Sequence, residues 1–143
     1  MDNHYDVALV SCRNYDDTEV EKALCEGIRQ TDGLAFVKPG MRIAVKVNLV
    51  TAMKPETAAT PHPSVVCALT RILRERGAEV ILGDGPGGIY APSYLRVVYD
   101  VCGLRSAEQY GGKLNDDFSV EDVEYPDAVM AKRFPYTAYL GNL

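Results

Sequence analysis

Histidine is almost missing from this 143-residue chain, which has two, His4 and His62. They stand far apart in the sequence, which argues against a two-histidine metal site. The four cysteines, Cys12, Cys25, Cys67 and Cys102, form no C-x-x-C pair. A metal or iron–sulfur cluster bound by this segment alone would need closer spacing, so the expected state is buried, reduced thiols. Positive charge is also short, with 15 lysines and arginines against 20 acidic residues and a net charge of -5. That balance argues against nucleic acid or an anionic membrane surface as the main partner. No apolar run approaches the length of a membrane span, and Met1-Asp2-Asn3-His4 lacks the basic and apolar regions of a signal peptide. The expectation is therefore a cytoplasmic chain of one-domain size. Internal repeats, low-complexity tracts and linkers are absent.

What is present is a set of apolar runs separated by sharp breakers. Val7–Val10 reads as a first buried strand. Asp16 and Glu19 stand at capping-box spacing, and Val20, Leu24 and Ile28 predict a helix to about Gln30. Arg42 to Val50 is the clearest strand. It alternates Ile43, Val45, Val47 and Leu49 with Arg42, Ala44, Lys46, Asn48 and Val50, so Lys46 and Asn48 should project side by side, about 7 Å apart. Thr51 to Pro61 is a loop. Pro63 suits the first turn of a helix that Gly77 ends, and Arg71, Arg74 and Arg76 near its end read as a favourable helix C-terminus. Glu79 to Leu82 is a further strand, and a helix runs from Pro92 to Gly103. A short helical turn over 106–110 follows, and then three short strands, Lys113–Phe118, Val120–Tyr125 and Ala128–Phe134, with Pro126-Asp127 as the last turn.

The order β-α-β-α-β-α predicts an α/β fold, a three-layer parallel (Rossmann-like) sheet with a small β-rich C-terminal extension. It is expected to be one domain over residues 1–143, with its core in 5–103 and the short strands in 104–143. Ligands of such sheets gather beyond the carboxyl ends of the strands. Topology brings Lys46, Asn48, His62 and Asp84 to that edge. There the loop Gly83-Asp84-Gly85-Pro86-Gly87-Gly88 could offer backbone N–H groups to an anion. It is not a Walker motif, because no Lys-Ser or Lys-Thr follows the glycines. Its late position and Pro86 speak against an ordinary dinucleotide loop, and no serine sits in a nucleophile elbow. Each polar residue also has a plain structural role open to it: capping for Asp84 and His62, a half-solvated strand for Lys46 and Asn48.

Four segments, taken in order, carry a resemblance. They are Val45-Lys46-Val47-Asn48-Leu49-Val50, Thr60-Pro61-His62-Pro63-Ser64-Val65-Val66, Gly77-Ala78-Glu79-Val80 and Gly83-Asp84-Gly85-Pro86-Gly87-Gly88. Over roughly residues 5 to 100 the chain resembles the start of the domain of unknown function 362 family. The resemblance implies that this is the N-terminal part of a longer protein. It also implies an association with redox proteins, since many members carry a ferredoxin-like segment further on. The cysteines of that segment are absent here, so the cluster is not carried over, and no other cofactor is identified.

The leading expectation is binding of a small anionic ligand or cofactor by Lys46, Asn48, Thr60, His62, Asp84, Gly85, Gly87 and Gly88. Lys46, His62 and Asp84 are the catalytic candidates, although whether the chain is an enzyme stays open. One alternative is a non-catalytic scaffold that dimerises or exchanges strands through the β-rich C-terminal segment. The other is a nucleotide-dependent enzyme.

Overall fold

The computed structural model describes residues 6–85 and 89–141. Helix α1 spans Asp17–Thr31 and starts as the capping pattern predicts. The Asp16 carboxylate accepts from the Thr18 and Glu19 amides, satisfying donors that a helix start leaves open. Strand β1, Arg42–Lys46, follows. Helix α2, Pro63–Glu75, has proline in its first turn and is capped by His62. Gly77, at φ 81, turns the chain into strand β2, Glu79–Gly83. Helix α3 spans Pro92–Val101. A 3-10 helix over Leu104–Tyr110 leads to the short strand β3, Gly112–Leu114.

The three strands form one parallel sheet in the order β1-β2-β3, so β2 is central. The register sets Lys46 directly across from Gly83 and Leu82 from Leu114. Two further bonds continue the ladder, Val47 N–H to Gly83 O at 3.3 Å and Asn115 N–H to Leu82 O at 2.8 Å. The core gathers Val80 and Leu82 of β2, Leu73 of α2, Leu95 and Val98 of α3, and Leu104. An antiparallel hairpin of β4, Val120–Glu124, and β5, Arg133–Thr137, follows, and then a one-turn helix, α4, Ala138–Gly141. The protein is therefore a mixed α/β fold with a parallel three-stranded sheet and a small antiparallel one.

Several expectations are corrected. Val7–Val10 is not a buried strand: it has no partner strand among the described residues, and Val7 and Leu9 are 81% and 97% exposed. A strand exists through its neighbour's hydrogen bonds, and apolar composition alone does not supply one. The strand from Arg42 stops at Lys46 because Asn48 adopts φ 47, a left-handed conformation that no strand tolerates. The strand expected over Lys113–Phe118 reduces to β3 and belongs to the main sheet, not to the C-terminal extension. The last strand begins at Arg133, not Ala128, because the connection after Pro126-Asp127 is longer than a tight turn. Pro135 is tolerated in a two-stranded ribbon, where one side of each strand is free. Only two of the four cysteines are buried: Cys67 and Cys102 are inside, whereas Cys12 and Cys25 are exposed.

The arginines Arg71 and Arg74 of α2 and Arg76 just past its end each have structural work. Arg71 pairs with Glu21 of α1 at 2.7 Å and lies over the Tyr110 ring. Arg74 donates to Ala78 O and Arg76 to Leu34 O. The basic cluster therefore fastens neighbouring elements together.

Candidate functional site

The carboxyl ends of β1 and β2 lie side by side, and their register decides what meets there. Lys46 is one residue short of Asp84 across the ladder. The Lys46 ammonium reaches Asp84 Oδ1 at 2.9 Å and donates to Asn48 Oδ1 at 2.6 Å. The other Asp84 oxygen, Oδ2, accepts the Leu49 backbone N–H at 2.8 Å. Asp84 thus takes over, for Leu49, the role a ladder carbonyl would have played had the strand continued. The turn at Asn48 is what brings the Leu49 amide round to it. The carboxylate is nearly enclosed, with 11% of its side chain exposed, while the Lys46 side chain is 66% exposed. A positive head therefore stands at the rim above a buried acceptor. The third ammonium proton and the Asn48 side-chain amide N–H groups are the donors left at its surface.

His62 and Thr60 stand apart from this cluster. His62 caps α2: its Nδ1 lies 2.8 Å from Ser64 Oγ, and its ring stacks on Tyr15 with centroids 3.8 Å apart. It is not oriented by Asp84, whose two oxygens face Lys46 and Leu49. Thr60 is buried, and its hydroxyl has no hydrogen-bond partner among the described residues. Gly85 is within reach of the rim, with the Tyr90 ring beside it. Gly87 and Gly88, with Pro86, lie outside the described residues.

A ring of polar and aromatic groups that no sequence motif announced closes around the end of β2. Asn115, just past β3, packs its Cβ against Gly83 and is almost wholly buried. Tyr139, from α4, lays its phenol against Gly83 as well. The Tyr99 hydroxyl donates to Asn115 O at 3.2 Å. The Tyr90 hydroxyl is buried near Asn115 without a hydrogen bond of acceptable geometry. Its place directly after the glycine loop was a signal that could have been read. The recruitment of Tyr139 from the far end of the chain carried none.

Burial raises the pKa of Tyr90, Tyr99 and Tyr139; the Asp117 and Asp84 charges add to the effect at Tyr90, and neighbouring phenols and the Asp84 charge add to it at Tyr99 and Tyr139. A phenol raised in the folded state stabilises the fold below the ordinary value near 10. That contribution is lost as pH climbs from there through the folded pKa. An absorbance titration at alkaline pH should therefore show these three of the nine tyrosines ionising late, together with loss of the fold. Early, reversible ionisation of all nine would contradict it. The Cys67 thiol is likewise pushed up by burial, which keeps it protonated and unreactive. The described residues hold no group of three or more metal-binding side chains.

Residues 43–140 match the profile of the family described as domain of unknown function (DUF362). The chain belongs to this family. The chain is also similar to a thylakoid-associated protein of Synechocystis sp., 31% identical over 81 residues. Those residues are 56% of this chain and 25% of that protein, so the chain spans only a minor part of the relative it matches. No solved structure matches the chain. Among the described residues, no helix is long and apolar enough to cross a membrane.

Proposed function

We propose that this family member binds a small anionic ligand at the carboxyl edge of its parallel sheet, with Lys46 and Asn48 as the groups that meet it. The observation that carries this is Asn48. A non-glycine residue at φ 47 is uncommon, and asparagine is among the few that accept it. Such positions cluster where a site needs a particular geometry. Here the geometry aligns an amide with an exposed ammonium whose remaining surface donors all favour a negative partner. Asp84 orients the ammonium from below, and Gly85 leaves room for close approach. The parallel sheet is read as the nucleus of a three-layer, Rossmann-like arrangement, since its strands follow one another through helical connections. A link to redox proteins rests on the family resemblance, with no cysteine cluster here to support it.

The test is a titration with inorganic phosphate followed by amide chemical shifts. The expected shifts fall on residues 46–49, 84 and 85. Lys46→Ala should weaken the response by about tenfold or more, the equivalent of one charge-assisted hydrogen bond. Asn48→Gly suits the left-handed backbone and should leave stability within about 0.5 kcal/mol, while also weakening the response. Shifts scattered over the surface, or unchanged in Lys46→Ala, would dismiss the site.

A scaffold role is favoured by a separate observation. The β4–β5 hairpin presents exposed Val120, Tyr125, Val129, Met130 and Phe134, and a two-stranded ribbon is marginal alone. If the scaffold role is the whole function, the phosphate titration should give no localised response.

A further inference from the structure

A cavity of about 370 Å3 lies between α3, the 3-10 helix and the segment that leaves β3. It is separate from the rim at Lys46, since none of Lys46, Asn48 or Asp84 lines it. Each wall has a local reason. Pro92, Arg96 and Tyr99 stand at i, i+4 and i+7 of α3, so one face of that helix turns to the cavity. Arg105 and Glu108 are three apart in the 3-10 helix, where such positions eclipse. Leu114 and Phe118, both half-buried, supply the apolar part of the third wall. Tyr99 is buried, with its hydroxyl tied to Asn115 O at 3.2 Å. The floor is therefore largely apolar and held in place.

The charges around this floor are incompletely matched. Asp100 is the i+4 neighbour of Arg96 and would be its ordinary helix partner. Arg105 holds Asp100 instead, and also reaches Glu108 at 3.7 Å. The exposed Arg96 guanidinium is left with no hydrogen bond or ion pair among the described residues. Asp116 stands in a fixed turn. On either side of it, the Asn115 side chain donates to Asp117 O at 3.1 Å and accepts the Asp117 N–H at 3.2 Å. The Asp116 carboxylate also has no hydrogen bond or ion pair among the described residues. Arg96 and Asp116 thus line one cavity without pairing with each other.

We propose that this cavity binds a free α-amino acid with an apolar side chain, its carboxylate on Arg96, its ammonium on Asp116 and its side chain over Leu114 and Phe118. Two arginines and two acids line the cavity and cancel. A plain anion would meet Asp116 and Glu108, and a plain cation would meet Arg96, each an unfavourable like-charge approach. A zwitterion answers both unpaired groups at once, through two charge-assisted hydrogen bonds. The cavity is at the small end of the range for ligand sites, which suits a single amino acid and not a longer peptide. Because the Asn115–Asp117 turn and the tied Tyr99 already fix one side, little ordering is needed on binding.

The test is a titration of the full chain with L-phenylalanine, followed by amide chemical shifts. The expected shifts fall on residues 96, 99, 105 and 114–118. Phenethylamine, which lacks the carboxylate, and hydrocinnamate, which lacks the ammonium, should each bind about tenfold or more weakly. Arg96→Ala should weaken L-phenylalanine and hydrocinnamate by about the same factor without weakening phenethylamine. Asp116→Ala should do the reverse, weakening L-phenylalanine and phenethylamine but not hydrocinnamate. Both side chains are exposed, so the variants should fold, which circular dichroism checks. No localised shift at any soluble concentration of L-phenylalanine, or shifts at residues 46–49 instead, would overturn the proposal. So would variants that weaken all three compounds alike. Phosphate binding at Lys46 is read separately, so neither result decides the other.

Discussion

Asp84→Ala should lower folding stability by about 1–4 kcal/mol, measured by urea denaturation. The larger share comes from Leu49. Its amide donates to Asp84 Oδ2 at 2.8 Å, and Leu49 itself is buried, so removing the acceptor strands a donor where water has poor access. A lost bond of this kind, with its unsatisfied partner, accounts for about 1–3 kcal/mol. The ion pair with Lys46 adds less, because the ammonium is mostly in solvent and screened; exposed pairs contribute about 0–1 kcal/mol. Asp84→Asn keeps an oxygen that can accept from Leu49 and should lose about 1 kcal/mol. Lys46→Ala should lose less than about 1 kcal/mol. The contrast separates two explanations of the cluster. If Lys46→Ala proves as damaging as Asp84→Ala, the lysine is there to hold the fold. If it is nearly neutral, stability does not explain the lysine, and a ligand becomes the stronger reason for it.

Gly83→Ala should be the second large effect, about 1–3 kcal/mol of destabilisation from overpacking. A Cβ there would lie 2.9 Å from Asn115 Cβ and 3.3 Å from the phenol carbon and oxygen of Tyr139. Asn115 has little freedom to yield. Its N–H donates to Leu82 O, its carbonyl accepts from Tyr99, and its side chain brackets Asp117 with two further bonds. The strain should therefore be relieved at Tyr139, loosening the C-terminal turn from the end of β2. Denaturation curves should show the loss, and Tyr139 should become accessible to a phenol-modifying reagent before global unfolding. Gly85→Ala is the matched control. Among the described residues its nearest neighbour is Tyr90 Cδ2 at 4.0 Å, so stability should change by less than about 0.5 kcal/mol. Equal losses at both glycines would mean that the close packing of Asn115 and Tyr139 on Gly83 is not what sets the effect.

The two substitutions divide the site into a part written locally and a part assembled from afar. Much of the local part was legible in the chain itself. Asp16, His62 with Pro63, and Gly77 mark helix and turn boundaries through capping and backbone preferences that act over three or four residues, and each performs the role its spacing implies. Lys46 and Asn48 near the end of one strand and Asp84 at the end of the next could be assigned to one sheet edge, because connections between parallel strands keep a fixed sense. Their contact was then decided by the register that sets Lys46 opposite Gly83. The bend at Asn48 was not legible, because alternation of apolar residues runs on through Val47 and Leu49 whether or not the ladder does.

Composition and short-range pattern by themselves determined the helices, the central parallel strands and the shortage of histidine. Those properties depend on neighbours in sequence, on dihedral preference and on which residue types exist to be used. Tertiary structure alone decided that Val7–Val10 stays unpaired, that β3 joins the main sheet, that His62 turns to Tyr15 and Ser64, and that Tyr139 and Asn115 close on Gly83. Each is a choice of partner among distant segments. Such choices are set by which pairing buries most apolar surface while satisfying every backbone group, a competition that no single stretch of sequence records.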